Sequence, residues 1–298
     1  MNKVIRILIL LILCKQATAQ QIYNTNNLEV SQFELKNNRY TKDSTANAYF
    51  IYEKGYSRLE NGGDYNILHD YEAKIKIINR EGFDYASIEI FLYKDNNRKE
   101  RFRNLSAYTH NMVDGKVIKT PVKKENIFKE AYSEKYDIIK FTFPKVEPGS
   151  VITYKYQLES PFVFKFIGWD FQDDIPKVFS KYITDIPGNY LYHTKLNGTL
   201  KLDTNTSEIK KNCLQAGGGQ ADCSHSVYMM KDIPAFREEK YMTAKKNYFS
   251  RIEYELSEFK GFDGRIKKYT KTWKNVDYKM KKEGNICLLY TSPSPRDA

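Results

Sequence analysis

Hydrophobic and polar side chains alternate along much of the stretch from Ala48 to Lys231, which is the period of strands rather than helices. Ala73-Lys74-Ile75-Lys76-Ile77-Ile78 alternates as a half-buried strand does, and Asn79-Arg80-Glu81-Gly82 then reads as a turn. Strands are predicted over Tyr85–Phe91, Arg103–Asn111, Asp137–Phe143 and Val151–Leu158. Asp114-Gly115 predicts a hairpin that returns through Lys116-Val117-Ile118, and Glu147-Pro148-Gly149 predicts a turn in which Pro fixes φ. Further strands are predicted over Ser180–Ile186, Tyr190–Leu196, Ser207–Leu214 and Ser224–Met230, and alternation resumes around Ile252, Tyr254 and Leu256. Short strands broken by regular turns predict a mainly β fold, an antiparallel β-sandwich. From Ile266 the chain turns Lys-rich, and Tyr269–Val276 reads as the opening of a short helical C-terminal segment.

Both ends depart from this pattern. Lys3 and Arg6 precede the apolar run Ile7–Leu13, and Ala17-Thr18-Ala19 is a small-x-small cleavage site, so residues 1–19 read as a secretory signal peptide. The run is too short for a membrane span, which takes about 20 apolar residues. Lipidation at Cys14 is disfavoured because the large Ile12 and Leu13 precede it. At the other end Cys287–Ala298 follows, residue for residue, the translation of a transposase sequencing adapter, and it is set aside from the fold. The protein is thus expected to be exported, periplasmic or extracellular, and cut before its true C-terminus.

Composition adds two constraints. Loss of Lys3, Arg6 and Lys15 with the leader, with Arg296 and Asp297 cancelling, takes the formal charge from +11 to +8. The lysines are dispersed among Asp and Glu, as AT-rich coding favours, and export argues against a nucleic-acid partner, although attraction to anionic polymers remains open. Of the four cysteines, Cys14 and Cys287 fall in the end segments. That leaves Cys213 and Cys223 as a single pair flanking Gly217-Gly218-Gly219, and in an exported protein a disulfide across a hairpin tip is the expected state.

Candidate chemistry is sparse. Cys223 and His225 share a strand face and could form a nucleophile–base pair, which the disulfide would preclude. His69, His110, His193 and His225 show no metal-ligand spacing, so no metal or cofactor is expected. Trp169 with Asp170, Asp173 and Asp174 could make a platform for a sugar or a cation. The plainer reading of that stretch is a Trp anchoring the sandwich edge and an Asp closing a turn. No catalytic residue is assigned.

Several segments, in order, carry a resemblance: Ile75–Gly82, Leu105–Thr109, Val113–Val117, Phe143–Ile152, Trp169–Pro176, Lys231–Phe236 and Thr272-Trp273. Over roughly residues 42–280 the chain resembles a domain of unknown function found N-terminal to transglutaminase-like domains in exported bacterial proteins, chiefly of Bacteroidetes. That resemblance implies an immunoglobulin-like sandwich followed by a papain-type Cys-His-Asp domain, none of whose catalytic residues maps onto this chain. The expected organisation is a leader (1–19), a linker (20–47), the sandwich (48–235), a connector opening a transglutaminase-like domain (236–286) and the adapter-derived tail (287–298). The expected role is a non-catalytic accessory module whose partner is the downstream domain, with a peptide or glycan as ligand. A stand-alone carbohydrate- or peptide-binding sandwich built on Trp169 is the alternative.

Overall fold

In the computed structural model, which describes residues 23–60, 65–95, 97–216 and 218–269, the alternating stretches become strands close to their predicted places. A one-turn helix α1 (Gln32–Lys36) is followed by β1 (Ala48–Leu59), β2 (Ile67–Ile77), β3 (Ser87–Tyr93), β4 (Arg101–Val113) and β5 (Lys116–Pro121). Next come β6 (Ile127–Ala131), β7 (Tyr136–Thr142), β8 (Val151–Ser160), the two-residue β9 (Trp169–Asp170) and β10 (Lys177–Pro187). The described chain closes with β11 (Tyr190–Asn197), β12 (Thr204–Ala216), β13 (Gly219–Ile233), β14 (Arg251–Lys260) and β15 (Ile266–Lys268). The leader, Cys14, the Thr272-Trp273 pair and the tail from Cys287 lie outside the described residues, as does nearly all of the expected C-terminal helix.

The strands form a sandwich whose two layers differ in extent. One layer is an eight-stranded sheet in the order β12-β13-β10-β1-β2-β8-β4-β5. β1 and β10 run parallel within it, while its other pairings are antiparallel. The second layer is split between a three-stranded sheet, β3-β7-β6, and a sheet of β11, β14 and β15 with β9 alongside β14. Ile67, Ala73, Ile75 and Ile77 of β2 all point toward this split layer, because side chains two apart share a strand face. Ala73, Ile75 and Ile77 pack with Ile90, Leu92, Ile139 and Phe141 of the three-stranded sheet. Ile67 packs with Tyr182, Met230, Ile252, Tyr254 and Leu256 under the other sheet. Tyr71 sits where the two cores meet. β14 and β15 cover residues that the sequence pattern places in the connector, so the sheets draw on the chain as far as Lys268.

The opposite face of the large sheet departs from expectation at Lys74 and Lys76. A half-buried strand leaves its polar side to solvent, yet both lysines are fully buried. Residues 23–40, read from the sequence as part of a linker, lie across them, with Leu35 and Tyr40 packed on Tyr49, Ile51 and Val151. Lys74 Nζ donates to Glu34 Oε1 at 3.0 Å and to the Glu29 carbonyl at 2.7 Å. Lys76 Nζ donates to the carbonyls of Leu35 (2.7 Å) and Gly149 (2.6 Å). Glu34 also closes a capping box with Ser31, taking the Ser31 N–H on Oε2 at 2.8 Å, so one carboxylate both starts α1 and neutralises Lys74. Burial holds the Lys74 ammonium below its ordinary pKa with Glu34 pulling back up, and it brings Lys76 down to about 7.

Removing one member of such a pair leaves a charge stranded in the core. Glu34→Ala is expected to lower unfolding free energy by about 3–5 kcal/mol in urea titrations. The double variant Glu34→Leu with Lys74→Leu should lose markedly less. An unchanged denaturation midpoint in Glu34→Ala would contradict this account of the N-terminal segment.

Candidate functional site

The residues expected to form a ligand platform are separated by the fold. β9 places Trp169 against the large sheet, where it is only 5% exposed. Its indole stacks on Tyr182 with centroids 5.1 Å apart and planes 3° from parallel, and Nε1–H donates to Ser180 Oγ at 2.9 Å. The ring lies over Gly55, where a Cβ would come within 2.3 Å of it, so the strand can pass beneath the indole only without a side chain. The Trp169 indole thus presents no free face to a sugar. The three acids stay nearer the surface: Asp170 pairs with Arg251 at 3.1 Å and Asp174 with Lys245. Asp173 Oδ1 accepts the Asp174 N–H at 2.7 Å and so closes a local turn. The Trp169–Asp174 stretch takes the plainer of its two sequence readings, an anchor: its indole seals the core, Asp170 ties β9 to β14, and Asp174 reaches the segment after β13.

Beneath Trp169 runs a polar network that the sequence pattern does not reveal. Glu53 Oε2 accepts from Lys177 Nζ at 2.8 Å and from Ser180 Oγ at 2.7 Å, while Oε1 accepts the Tyr71 hydroxyl at 2.8 Å. Lys177 Nζ also donates to the Asp170 carbonyl at 3.2 Å and lies 4.7 Å from the Phe50 ring centroid. Every hydrogen-bonding atom of the Glu53 carboxylate is thus occupied. Low dielectric then strengthens the network instead of penalising it.

Next to it, β1 and β2 set Ser57 opposite His69 in register. Ser57 Oγ and His69 Nδ1 are 2.8 Å apart, a separation compatible with a nucleophile and its base. Both are buried, and the Tyr182 hydroxyl lies 2.9 Å from Ser57 Oγ while also reaching the Ile167 carbonyl. Burial lowers the His69 pKa to about 4, with Asp70 raising it and Arg58 lowering it. The imidazole is neutral and enclosed by Trp169, Tyr71 and Tyr182. Nothing in the spacing of Ser57 and His69 announces this pair, since only the strand register brings them together.

The predicted cysteine pair also resolves structurally. β12 and β13 form the expected hairpin, Ala216 pairing with Gly219, and Cys213 and Cys223 are joined as a disulfide. The Cys223 sulfur is therefore not a thiolate, and a Cys223–His225 catalytic couple is excluded while the bridge is closed. His225 turns instead to Asp185, with Nδ1 2.6 Å from Oδ1. Asp185 is a hub: Lys210 Nζ donates at 2.7 Å and the Tyr56 hydroxyl at 2.5 Å, both to Oδ2. Burial pushes its carboxyl up, but the bonds from Lys210, Tyr56 and His225 outweigh that and hold it below the ordinary carboxylate range. This cluster lies on the outer face of the large sheet, the side not covered by the split layer.

With this geometry in place, the relatives can be set beside it. Residues 64–216, just over half of the chain, match the family described as "Domain of Unknown Function with solved-structure structure" (DUF3857), and the chain belongs to that family. No curated protein matches the chain. Among solved structures it is similar to a crystal structure described as a "putative protease" from Parabacteroides distasonis, at 12% identity and a TM-score of 0.54. The likeness covers 71% of this chain and 41% of that one, so this chain spans well under half of the length of the protein it resembles. At that identity the likeness concerns the fold alone.

Two neutral buried histidines give the fold a pH signature. His69 and His110 are both held near pKa 4 against an ordinary 6.5, His110 by burial first and then by Lys119 and Lys74. The unfolded chain takes up protons near pH 6.5 and the folded chain does not. The histidine contribution to stability is therefore complete above that pH and is lost as pH falls toward 4, by about 3 kcal/mol per histidine. Urea midpoints measured between pH 7 and pH 4.5 should fall accordingly, and His110→Gln should flatten the decline. A midpoint independent of pH across that window would refute the assignment.

Proposed function

We propose that this chain is an exported, non-catalytic accessory module of a larger protein that carries a transglutaminase-like, papain-type Cys-His-Asp domain downstream. The observation that carries this reading is the closure of each candidate nucleophile: Cys223 is in a disulfide and Ser57 is sealed with His69 beneath Trp169 and Tyr182. A sandwich with its reactive pairs engaged internally supplies a rigid body, and the chemistry is left to another part of the protein. Membership of a domain family of unknown function supports the reading, and so does likeness to part of a longer chain described as a "putative protease". The disulfide fits an oxidising compartment, in line with the leader expected over residues 1–19. The partner we propose is the downstream domain of the same parent.

The parent protein, produced from the uninterrupted reading frame, tests this directly. It should cleave or cross-link peptides in a thiol-dependent manner that a downstream Cys→Ala substitution abolishes. A Ser57→Ala variant should keep that activity within about twofold, well under the hundredfold or greater loss typical of a missing nucleophile. Thiol- or serine-dependent hydrolysis by the present chain alone, or loss of parental activity in Ser57→Ala with the fold intact, would overturn the proposal.

A further inference from the structure

The N-terminal segment covers only part of the outer face of the large sheet. Farther along the same strands, register aligns Lys54, Glu72 and Lys155 across β1, β2 and β8, and Tyr56, Asp70 and Gln157 in the next row. A cavity of about 270 Å³ opens on these two rows, with Asn104 at its rim. This is the size of a site for a single ring and not for a drug-sized ligand.

Its charges differ from those of the rows beside it. Arg58 is neutralised by Asp70 at 2.5 Å, Lys210 by Asp185 at 2.7 Å, and Arg101 and Arg103 by Glu159 at 3.1 and 2.6 Å. Among the described residues, neither Lys54 nor Lys155 is ion-paired, nor is Lys181, the register partner of Lys54 on β10. Like charges directly opposite each other on a sheet are destabilising. Glu72, which lies between Lys54 and Lys155, accepts the Tyr52 hydroxyl at 2.9 Å in place of either ammonium. With Glu72 the one carboxylate between them and Asp70 offset by Arg58, the two lysines leave one net positive charge at the mouth of a concavity.

The backbone supplies a second, separate sign. β4 bulges between Arg103 and Ser106, and Asn104 within the bulge takes the left-handed conformation at φ 58°. Bulges and non-glycine left-handed residues recur where a side chain is re-aimed toward a ligand. The Asn104 amide has no hydrogen-bond partner among the described residues.

We propose that this cavity binds a carboxylated sugar unit of an acidic polysaccharide. Its occupant must bring an anion to Lys54 and Lys155. It must also bring hydroxyls to Asn104, whose amide both donates and accepts, and to the amide oxygen of Gln157, which accepts while its Nε2 donates to Asp70 Oδ1 at 2.8 Å. A uronate ring carries both on one rigid scaffold. An acidic peptide side chain brings the charge without the hydroxyls, and a neutral sugar brings the hydroxyls without the charge. The site is distinct from Trp169 and does not depend on the accessory role proposed above.

Calorimetric titration of the chain at low salt with a galacturonic acid tetramer, its methyl ester and poly-L-glutamate separates these features. The acid tetramer should bind, with the ester and the polypeptide at least about tenfold weaker, the equivalent of one lost charged contact. Lys54→Gln with Lys155→Gln should weaken the tetramer about tenfold or more while circular dichroism stays unchanged, and Lys116→Gln, remote from the cavity, should bind as the parent does. Absence of tetramer binding, binding unaffected by the double substitution, or poly-L-glutamate binding as tightly as the tetramer would each refute the assignment.

Discussion

The structure depends on neutralising charge within a sheet that is covered on both faces. An eight-stranded layer with the split sheets on one side and the N-terminal segment on the other places Lys74, Lys76 and Lys177 out of water. An unpaired ammonium there would cost more than the surrounding hydrophobic contacts return. Each lysine is instead met by a fixed partner: Glu34 for Lys74, main-chain carbonyls for Lys76, and Glu53 for Lys177. Those partners come from distant parts of the sequence. The pairs therefore specify which segments lie over which strands, a constraint that hydrophobic burial alone does not supply.

The same economy explains why the chemically suggestive residues turn inward. Ser57, His69, Tyr182, Ser180 and Trp169 lie around the seam between the two halves of the second layer. Polar groups in that seam must hydrogen-bond to one another, since no water reaches them. The result has the distances of a catalytic site without its access. Groups on the outer face behave differently. Asp185 gathers Tyr56, Lys210 and His225 at the edge of solvent, and farther along the same face Lys54 and Lys155, in no ion pair among the described residues, flank Glu72.

Much of the fold was legible because it rests on local rules. The Asp114-Gly115 turn, the Glu147-Pro148-Gly149 turn and the glycine-tipped hairpin joined by Cys213 and Cys223 appear where turn chemistry places them. Alternation located β7, β8 and β14 to within a few residues, and the second half of β2. It could not say that both faces of β2 are buried, because alternation marks polarity and not exposure, so Lys74 and Lys76 read as surface residues. Trp169 read more plainly as an anchor than as a platform, and what seats it there is Gly55, more than a hundred residues earlier, leaving room for its ring. The Ser57–His69 and Glu53–Lys177 contacts were illegible for the same reason, since each follows from strand register rather than spacing.

The accessory role proposed for this chain requires Ser57, Cys213 and Cys223 to stay engaged with their structural partners in the native fold. Active-site labelling of the folded, non-reduced chain with a fluorophosphonate and with iodoacetamide, read by intact mass and peptide mapping, tests it most directly. The account predicts no adduct on Ser57, Cys213 or Cys223 until the chain is unfolded or reduced. Rapid stoichiometric labelling of Ser57 or Cys223 in the native protein would contradict it.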